Sequence, residues 1–494
     1  MVRRGRRALP GTAAGRRAAV GIVLVTIAVL LLLPVERGIS IEQRSVGPDR
    51  ALPVRVYVPD TAGAAGAPGV VVAHGFAGSA ALMHTWSLAL AHAGFVVVAP
   101  DLPGHGTNLS PLAGRGEVLR DAVIVALDHL GSLPQVDATR LGLLGHSMGS
   151  GAVLDAGTAR PEIVRAVVAV SPTDAQVTAR EPRDLLLLAG ANEGRFVANA
   201  ESLLERAGGA RGEPGDGDAR AIEVVPLVEH VSILFAPGAH AASVDWLASA
   251  LDHVPVAPAP TGPLVGWLVL VLAILVLWQG FVAQAATPAA PPHSRSAPSL
   301  ALPLGGIAAT ASLVIIERSV DIAQLTGMLL AGEVGLWFLM TGAVWLRFGI
   351  RPAPPEVRDL GWAVLGVVML VGLGSSTTLA WAPWWLGGVR VTNAVLLTVL
   401  ALPFSIAAAS FLHGRSGRSA VVAWLLTAAA VVVTLGAAAV VIPSLGFLIL
   451  IIPLLPVVLA ATTAAAVGVD RPWATGTASA VLLGWLLAML FPLA

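Results

Sequence analysis

Gly145-His146-Ser147-Met148-Gly149 is the stretch of this sequence on which the prediction of the fold depends. An apolar, strand-like run at 141–144 precedes it, and a run of small residues typical of a helix, 150–154, follows it. A serine between two glycines at such a strand-to-helix turn stands clear of the sheet in a strained backbone conformation. The pattern therefore predicts a nucleophilic Ser147. The alternative is an ordinary serine in a glycine-rich turn, because so short a pattern also arises by chance.

The length and composition predict more than one domain and indicate that a large part of the chain lies in a lipid bilayer. The chain has 494 residues, of which 56% are hydrophobic and 12% charged, whereas about 25% of the residues of a soluble domain are charged. The net charge of zero implies no nucleic-acid partner. The absence of cysteine excludes disulfides, thiolate catalysis and zinc-thiolate sites. The eleven histidines lack metalloprotease spacing, so neither a metal nor a cofactor is predicted.

The N-terminus predicts a membrane anchor. An arginine-rich tail, 1–17, precedes an apolar run, and a transmembrane helix is predicted at 18–34. A cleaved signal peptide is the alternative, but no small-x-small cleavage site follows the run. If the arginines stay in the cytoplasm, the next segment is extracytoplasmic.

Residues 38–252 have the pattern of a water-soluble α/β domain. Alternation at 39–42 and 54–58 predicts two antiparallel strands at its start. Five apolar runs then alternate with helical stretches, which indicates a parallel sheet covered on both faces. The runs are at 70–73, 95–99, 141–144, 166–170 and 185–188. The helices are predicted at 80–92, 118–130, 148–158, 198–207 and 240–251.

Three motifs at consecutive strand ends carry a family resemblance. His74-Gly75-Phe76-Ala77-Gly78 resembles an HGxxG oxyanion loop, and 100–106 (PDLPGHG) resembles a D-x-x-G-H-G turn. The Ser147 turn, with Gly145 and Gly149, is the third. Over residues 38–252, under half of the chain, the sequence resembles an α/β-hydrolase. The resemblance implies a mostly parallel sheet with helices on both faces and the chemistry of a serine hydrolase.

The same resemblance implies the partners of Ser147, in the order nucleophile, acid, histidine. The segment 185–193 (LLLLAGANE) resembles the family's strand followed by G-x-x-D, which places Glu193 at the acid position. Asp174, just past the preceding strand, is the second candidate. His230 follows the last strand-like run and is the expected base, whereas His240 and His253 are expected at the surface.

Two backbone amides are implied as the oxyanion hole. They are those of Met148, after the nucleophile, and of Phe76, after His74 and Gly75. The segment 171–183 is too short for the helical cap that many related enzymes insert at this point, so an uncapped site is expected.

After a proline-rich linker, 253–263, the composition becomes that of a membrane domain, 264–494, with about eight transmembrane helices. They are predicted at 264–282, 299–316, 325–346, 360–382, 391–412, 419–441, 444–467 and 473–493. The loops predicted to be cytoplasmic hold Arg295, Arg347, Arg351, Arg358, Arg415, Arg418 and Arg471, against Arg318 and Arg390 in the outer loops. Glu333, an ionisable group inside a predicted span, is a candidate functional residue.

The sequence thus predicts a multi-pass cell-membrane protein with a cytoplasmic N-terminus and an extracytoplasmic serine hydrolase domain. It would cleave an ester, thioester or amide of a small-molecule or lipid substrate through an acyl-enzyme on Ser147. One alternative is an envelope acyltransferase with the same three residues. Another is a transporter or lipid-handling protein whose hydrolase-like domain senses or docks.

Overall fold

The computed structural model describes residues 13–63, 66–112, 115–258, 263–286, 290, 293–294, 298–378, 386–466 and 468–494. Most of the predicted N-terminal tail, four residues of the predicted linker and Arg295 lie outside these ranges. The chain divides into two compact units. The sheet unit is formed mainly by Leu31–Leu264, and the helical unit mainly by Val265–Thr377 and Gly388–Ala488.

The sheet unit contains one eight-stranded sheet with the order β1-β2-β4-β3-β5-β6-β7-β8. The strands are β1 (Ile39–Val46), β2 (Leu52–Pro59), β3 (Ala67–Ala73), β4 (Val96–Pro100), β5 (Val136–His146), β6 (Val164–Val170), β7 (Leu185–Gly190) and β8 (Arg220–Val225). β1 and β2 are antiparallel to each other, β2 is antiparallel to β4, and β3 to β8 are parallel. The antiparallel start and the parallel sheet predicted from the apolar runs are both present.

The helices up to residue 250 are α1 (Ala13–Leu32), α2 (His84–His92), α3 (Arg115–Gly131), α4 (Met148–Ala159), α5 (Gly194–Arg206) and α6 (Pro237–Ala250). Gly69 lies against Leu130 of α3, and Gly142 lies against Leu247 of α6. Because these glycines point to opposite faces of paired strands, α3 and α6 cover opposite faces of the sheet. This double cover explains why the buried stretches of the central strands, such as 69–73 and 141–144, are apolar at successive positions.

The helical unit contains α7 (Pro263–Ala285), α8 (Pro298–Ile316), α9 (Ile322–Thr326), α10 (Ala331–Phe348), α11 (Val357–Thr378), α12 (Val389–Leu412), α13 (Gly417–Val441), α14 (Leu448–Ile451), α15 (Leu455–Ala466) and α16 (Pro472–Leu490). Two short strands, β9 (His293–Ser294) and β10 (Ile350–Arg351), pair with each other. Among the described residues, seven segments are long and apolar enough to cross a membrane. They are α1, α7, α8, α12, α13, α16 and the broken helical segment Pro443–Ala464.

Two predicted spans differ from this set. The span predicted at 325–346 is two helices, because Gly327 (φ 67°) and Leu330 (φ 64°) take left-handed conformations between α9 and α10. The remaining α10 carries Glu333 in its first turn and Arg347 in its last. The span predicted at 360–382 lies partly outside the described residues, and its described part, 360–378, belongs to α11, which carries Asp359 in its first turn and ends in Gly-Ser-Ser-Thr-Thr. Charged and polar residues in these helices explain why they are less apolar than the seven.

Candidate active site

The turn at Ser147 has the strained geometry that the motif predicts. Ser147 lies between β5 and α4 with φ 52° and ψ −120°, a region that L-residues rarely adopt. A Cβ atom on Gly145 would lie 2.2 Å from the carbonyl oxygen of Gly149, and one on Gly149 would lie 2.5 Å from that of His74. Only glycine fits at either position, and the close approach holds Ser147 at the carboxyl edge of the sheet.

Four neighbouring strands deliver the polar side chains of the site. Ser147 follows β5, Ser171 follows β6, Glu193 lies shortly after β7, and His230 lies beyond β8. Because these parallel strands are adjacent, the chain segments after their carboxyl ends meet at one edge of the sheet. The local sequence places each residue at a strand end, and the sheet order brings the four together.

A line of hydrogen bonds joins Ser147, His230 and Glu193. His230 Nε2 lies 3.1 Å from Ser147 Oγ, and His230 Nδ1 lies 2.8 Å from Glu193 Oε2. All three residues are buried. When Nδ1–H donates a hydrogen bond to the carboxylate, the imidazole presents an unprotonated Nε2 to the serine hydroxyl. The structure thus brings together the three residues that the sequence predicts as nucleophile, base and acid.

The second candidate acid, Asp174, lies elsewhere. Its carboxylate is 82% exposed and forms an ion pair with Arg206 at 2.5 Å. Of the two carboxylates considered, the one in contact with the imidazole is Glu193. A carboxylate so exposed is weakly coupled to its surroundings because water screens it.

Two aromatic side chains surround the His230 ring. Phe196 of α5 stacks on it, with the ring centroids 4.1 Å apart and the planes inclined by 14°. The His146 ring lies 4.8 Å away, and its Nε2 is 3.1 Å from the His230 carbonyl oxygen. Burial and the neighbouring His230 hold the pKa of His146 well below its usual range, so His146 stays neutral. The two rings restrict the imidazole of His230 to one orientation.

The loop after β3 lies against the nucleophile. A Cβ atom on Gly75 would lie 3.1 Å from Ser147 Cβ, so Gly75 is next to the serine. His74 anchors this loop: its Nε2 accepts from the amide of Leu102 at 3.0 Å, so Nδ1 carries the proton and donates to the Gly75 carbonyl at 2.8 Å. Burial lowers the pKa of His74, which keeps this neutral tautomer. His74 is thus a support for the loop.

The predicted oxyanion amides belong to the two segments that flank Ser147. Met148 is the first residue of α4, and a helix leaves its first amides without intrahelical acceptors and carries a positive partial charge at this end. Phe76 directly follows Gly75 in the adjoining loop, and its ring meets that of His105 edge-on at 5.6 Å. The assignment of these two amides to an oxyanion hole stays a prediction.

Asp101 fixes the neighbouring turn after β4. Its Oδ1 accepts from the amide of Ala80 at 2.7 Å, and its Oδ2 accepts from the amide and hydroxyl of Thr107 at 2.8 and 2.6 Å. A Cβ atom on Gly106 would lie 2.4 Å from Asp101 Cγ, so the turn closes tightly around the carboxylate. The aspartate of the D-x-x-G-H-G motif therefore ties two loops together beside the site.

The prediction that His240 is a surface residue is wrong. His240 is buried in α6, where its Nε2 lies 3.0 Å from the Leu234 carbonyl and its ring meets Trp86 edge-on at 4.6 Å. Burial lowers its pKa to about 4. His253 is half-buried with its Nε2 2.8 Å from the Ala93 carbonyl. Each ring is therefore held by a backbone carbonyl away from the Ser147 hydroxyl.

The segment between β6 and β7, residues 171–184, contains neither a helix nor a strand, as its length predicts. Glu333 belongs to the helical unit, where it is buried in the first turn of α10. Its functional role stays a prediction.

Gly149→Ala is expected to destabilise the sheet unit by about 3 kcal/mol or more, because the added methyl group would meet backbone atoms that cannot move independently. Its Cβ would lie 2.6 Å from the Ala73 carbonyl oxygen as well as close to that of His74. Pulse proteolysis of the purified full chain in increasing urea measures the loss. Gly116→Ala is the matched control, since nothing lies within 4 Å of a Cβ there. Equal urea midpoints for the two variants would contradict the prediction.

The sheet topology, the strained serine turn and the loop after β3 show that the sheet unit has the α/β-hydrolase fold. The model of the family "Serine aminopeptidase, S33" matches residues 67–202, which include the serine turn and Glu193. The chain therefore contains a domain of the α/β-hydrolase superfamily and a second, helical unit. Dienelactone hydrolase from Anabaena variabilis is a similar solved structure, 23% identical, with a TM-score of 0.32 over 44% of this chain and 100% of its own.

Two curated proteins are similar to parts of the chain. Epoxide hydrolase A of Mycobacterium tuberculosis is 37% identical over 113 residues, which are 22% of this chain and 33% of that protein. Bis(hydroxyethyl) terephthalate hydrolase of Streptomyces coelicolor is 31% identical over 154 residues, 30% of this chain and 47% of that protein. The chain therefore spans less than half the length of either relative.

Two residues of the site were not predicted from the sequence. Ser171 contacts Glu193, and Phe196 stacks on His230. Ser171 had a detectable signal, because it follows an apolar strand directly, at the edge where catalytic side chains gather. Phe196 had none, since an apolar residue in the first turn of a helix is ordinarily part of a core.

Proposed function

We propose that this protein is a serine hydrolase that cleaves a carboxylic ester, thioester or amide through an acyl-enzyme on Ser147. The observation that carries the proposal is the hydrogen-bonded line from Ser147 Oγ through His230 to Glu193. A buried hydroxyl, an imidazole with its free nitrogen towards that hydroxyl, and a carboxylate behind it form the arrangement that activates serine.

In the first step, Ser147 Oγ attacks the carbonyl carbon while its proton passes to His230 Nε2. The imidazolium that forms is stabilised by Glu193, whose Oε2 accepts a hydrogen bond from His230 Nδ1–H. Negative charge develops on the carbonyl oxygen, and the amides of Met148 and Phe76 are the donors assigned to it. His230 then gives its proton to the leaving alcohol, thiol or amine.

In the second step, His230 Nε2 takes a proton from water, whose oxygen attacks the acyl carbon. The tetrahedral intermediate collapses with Ser147 as leaving group, and His230 returns the proton to Ser147 Oγ. The acid leaves as product, and no residue is consumed. Because 171–184 forms no helical cap, the site is proposed to admit bulky acyl substrates, including lipids.

We also propose that the sheet unit is extracytoplasmic and that the helical unit spans the cell membrane, with the N-terminus in the cytoplasm. The seven apolar segments and the arginine-rich start of the chain support this placement. The arginine bias of the loops supports it as well, since most arginines of the helical unit fall in the loops assigned to the cytoplasm.

Contacts within the helical unit divide its loops into the same two sets as the arginine bias does, the cytoplasmic loops and the outer loops. The loops assigned to the cytoplasm touch one another: β9 pairs with β10, Arg471 binds Glu356 and Asp359 at 2.8 and 2.7 Å, and the Gly414 amide donates to Asp470 at 2.7 Å. Two outer loops touch through Ser444 and Glu317 at 2.7 Å. α10 begins near the outer loops and ends near the loops assigned to the cytoplasm. Its course therefore supports a membrane crossing, despite the charged residues Glu333 and Arg347 at its ends.

The experiment that tests both proposals is labelling of intact cells with a membrane-impermeant fluorophosphonate, followed by mass spectrometry of the labelled peptide. We expect the probe to modify Ser147 without permeabilisation. A cytoplasmic serine hydrolase of the same cells is the control and should label only after lysis. Labelling of Ser147 only after lysis would contradict the placement, and no labelling under either condition would contradict the chemistry.

A further inference from the structure

Ser171 occupies a constrained position at the edge of the site. It directly follows β6, is fully buried, and has a left-handed backbone with φ 46°. Its amide donates to the Leu188 carbonyl of the neighbouring strand at 2.7 Å. Its hydroxyl donates to Glu193 Oε1 at 2.7 Å. The backbone therefore adopts a conformation unfavourable for serine, and the side chain that results points at the proposed catalytic acid.

Glu193 receives separate partners on its two carboxylate oxygens. Oε2 faces His230, while Oε1 accepts from the Ser171 hydroxyl and from the Gly190 amide at 2.5 Å. A glutamate has one more rotatable bond than an aspartate, so its carboxylate has more orientations to lose when it is fixed. Two donors on Oε1 determine both the position of the group and the direction in which Oε2 points.

We propose that Ser171 is a positioning residue for the acid: its hydroxyl holds the Glu193 carboxylate in register with His230 and disperses part of its negative charge. This inference rests on the proposed serine hydrolase function. Ser171 does not contact the reacting atoms and acts only through Glu193. Hydrogen bonds to charged groups are the stronger ones, and a misaligned carboxylate no longer holds the His230 ring where its Nε2 can accept the Ser147 proton.

The charge dispersal predicts a specific change in pH dependence. Without the hydroxyl, more negative charge remains on the carboxylate, and a more negative neighbour favours the charged form of an imidazole, which cannot accept the serine proton. In the part of the chain that the structure describes, the other rings against His230 are those of His146, which stays neutral, and Phe196, which is uncharged. The nearby Glu229 carboxylate accepts from the amides of Val231 and Ser232 at 3.0 and 2.6 Å. The acid limb of the rate profile is therefore expected to move upward.

The test measures the second-order rate of fluorophosphonate labelling of the purified full chain as a function of pH. In this reaction Ser147 Oγ bonds to phosphorus, fluoride leaves, and His230 accepts the serine proton. Ser171→Ala is expected to lower the rate by about tenfold to a hundredfold and to shift the acid limb to higher pH. Ser171→Gly removes the same hydroxyl but accepts a positive φ without strain.

The two variants separate positioning from a structural role. If the hydroxyl positions Glu193, both variants lose rate and both shift the acid limb. If Ser171→Gly labels like wild type while Ser171→Ala does not, the position matters only for its backbone, and the proposal is overturned. Wild-type rates and profiles in both variants would overturn it as well.

Ser243→Ala is the matched control. Ser243 is a buried serine of α6 whose hydroxyl donates to the Ala239 carbonyl at 3.0 Å, away from the acid. It should leave both the labelling rate and the pH profile unchanged. Failure of the underlying function has a different signature: wild-type protein that is not labelled at Ser147 at any pH refutes the serine hydrolase itself, whatever the Ser171 variants do.

Discussion

Replacing Ser147 by alanine is expected to abolish fluorophosphonate labelling and to lower the turnover of an ester substrate by about 10⁵- to 10⁶-fold. The reason is chemical: the alanine variant keeps the turn and the amides of Met148 and Phe76 but has no oxygen that could form an acyl-enzyme. Among the predicted partners, the Ser147 hydroxyl of the wild type contacts only His230, so its removal leaves the packing of the turn intact.

The measurement compares labelling and steady-state hydrolysis of a chromogenic ester by the purified variant and wild type. Ser87→Ala serves as control, because Ser87 is a buried serine of α2 that donates to the Met83 carbonyl at 3.0 Å. Urea midpoints equal to wild type would show that Ser147→Ala is folded. Labelling of the folded variant at the wild-type rate would refute the assignment of the nucleophile.

Glu193→Gln is expected to reduce turnover by about 10³- to 10⁴-fold while the protein stays folded. Ser171 and Gly190 both donate to Oε1, so the amide oxygen of glutamine must take that place and its NH₂ group must face His230 Nδ1. An NH₂ donor at Nδ1 forces the ring proton onto Nε2, which then cannot accept the proton of Ser147. The negative charge that stabilises the imidazolium is lost at the same time.

Asp174→Asn is the paired control, because Asp174 is the other carboxylate that the sequence offers as acid. It loses only an exposed ion pair with Arg206, worth about 1 kcal/mol or less, and its turnover is expected to stay within about twofold of wild type. The measurement is turnover of the same ester substrate at saturating concentration. A large loss in Asp174→Asn with a small loss in Glu193→Gln would reverse the assignment of the acid.

Much of the α/β domain could be predicted because its signals are local. The buried stretches of β3 to β7 are apolar at successive positions, which follows from burial on both faces, and the turns after several of these strands carry motifs at fixed offsets. The helix ends were less predictable: α2 begins at His84 and α5 at Gly194, where 80 and 198 were expected. The helical unit was harder, since the left-handed residues Gly327 and Leu330 interrupt a run that is apolar enough to be mistaken for one helix.

The sequence alone is enough to predict the order of the elements, the strained serine turn, and the positions of Ser147, Glu193 and His230 near the ends of successive strands. The tertiary structure decided which carboxylate meets the imidazole. Asp174 and Glu193 each follow a parallel strand, and the direction of a side chain beyond a strand end depends on the loop and helix that continue it. The same packing placed Ser171 and Phe196 against the acid and the base, because contacts between residues on different strands are set by the sheet and not by their spacing along the chain.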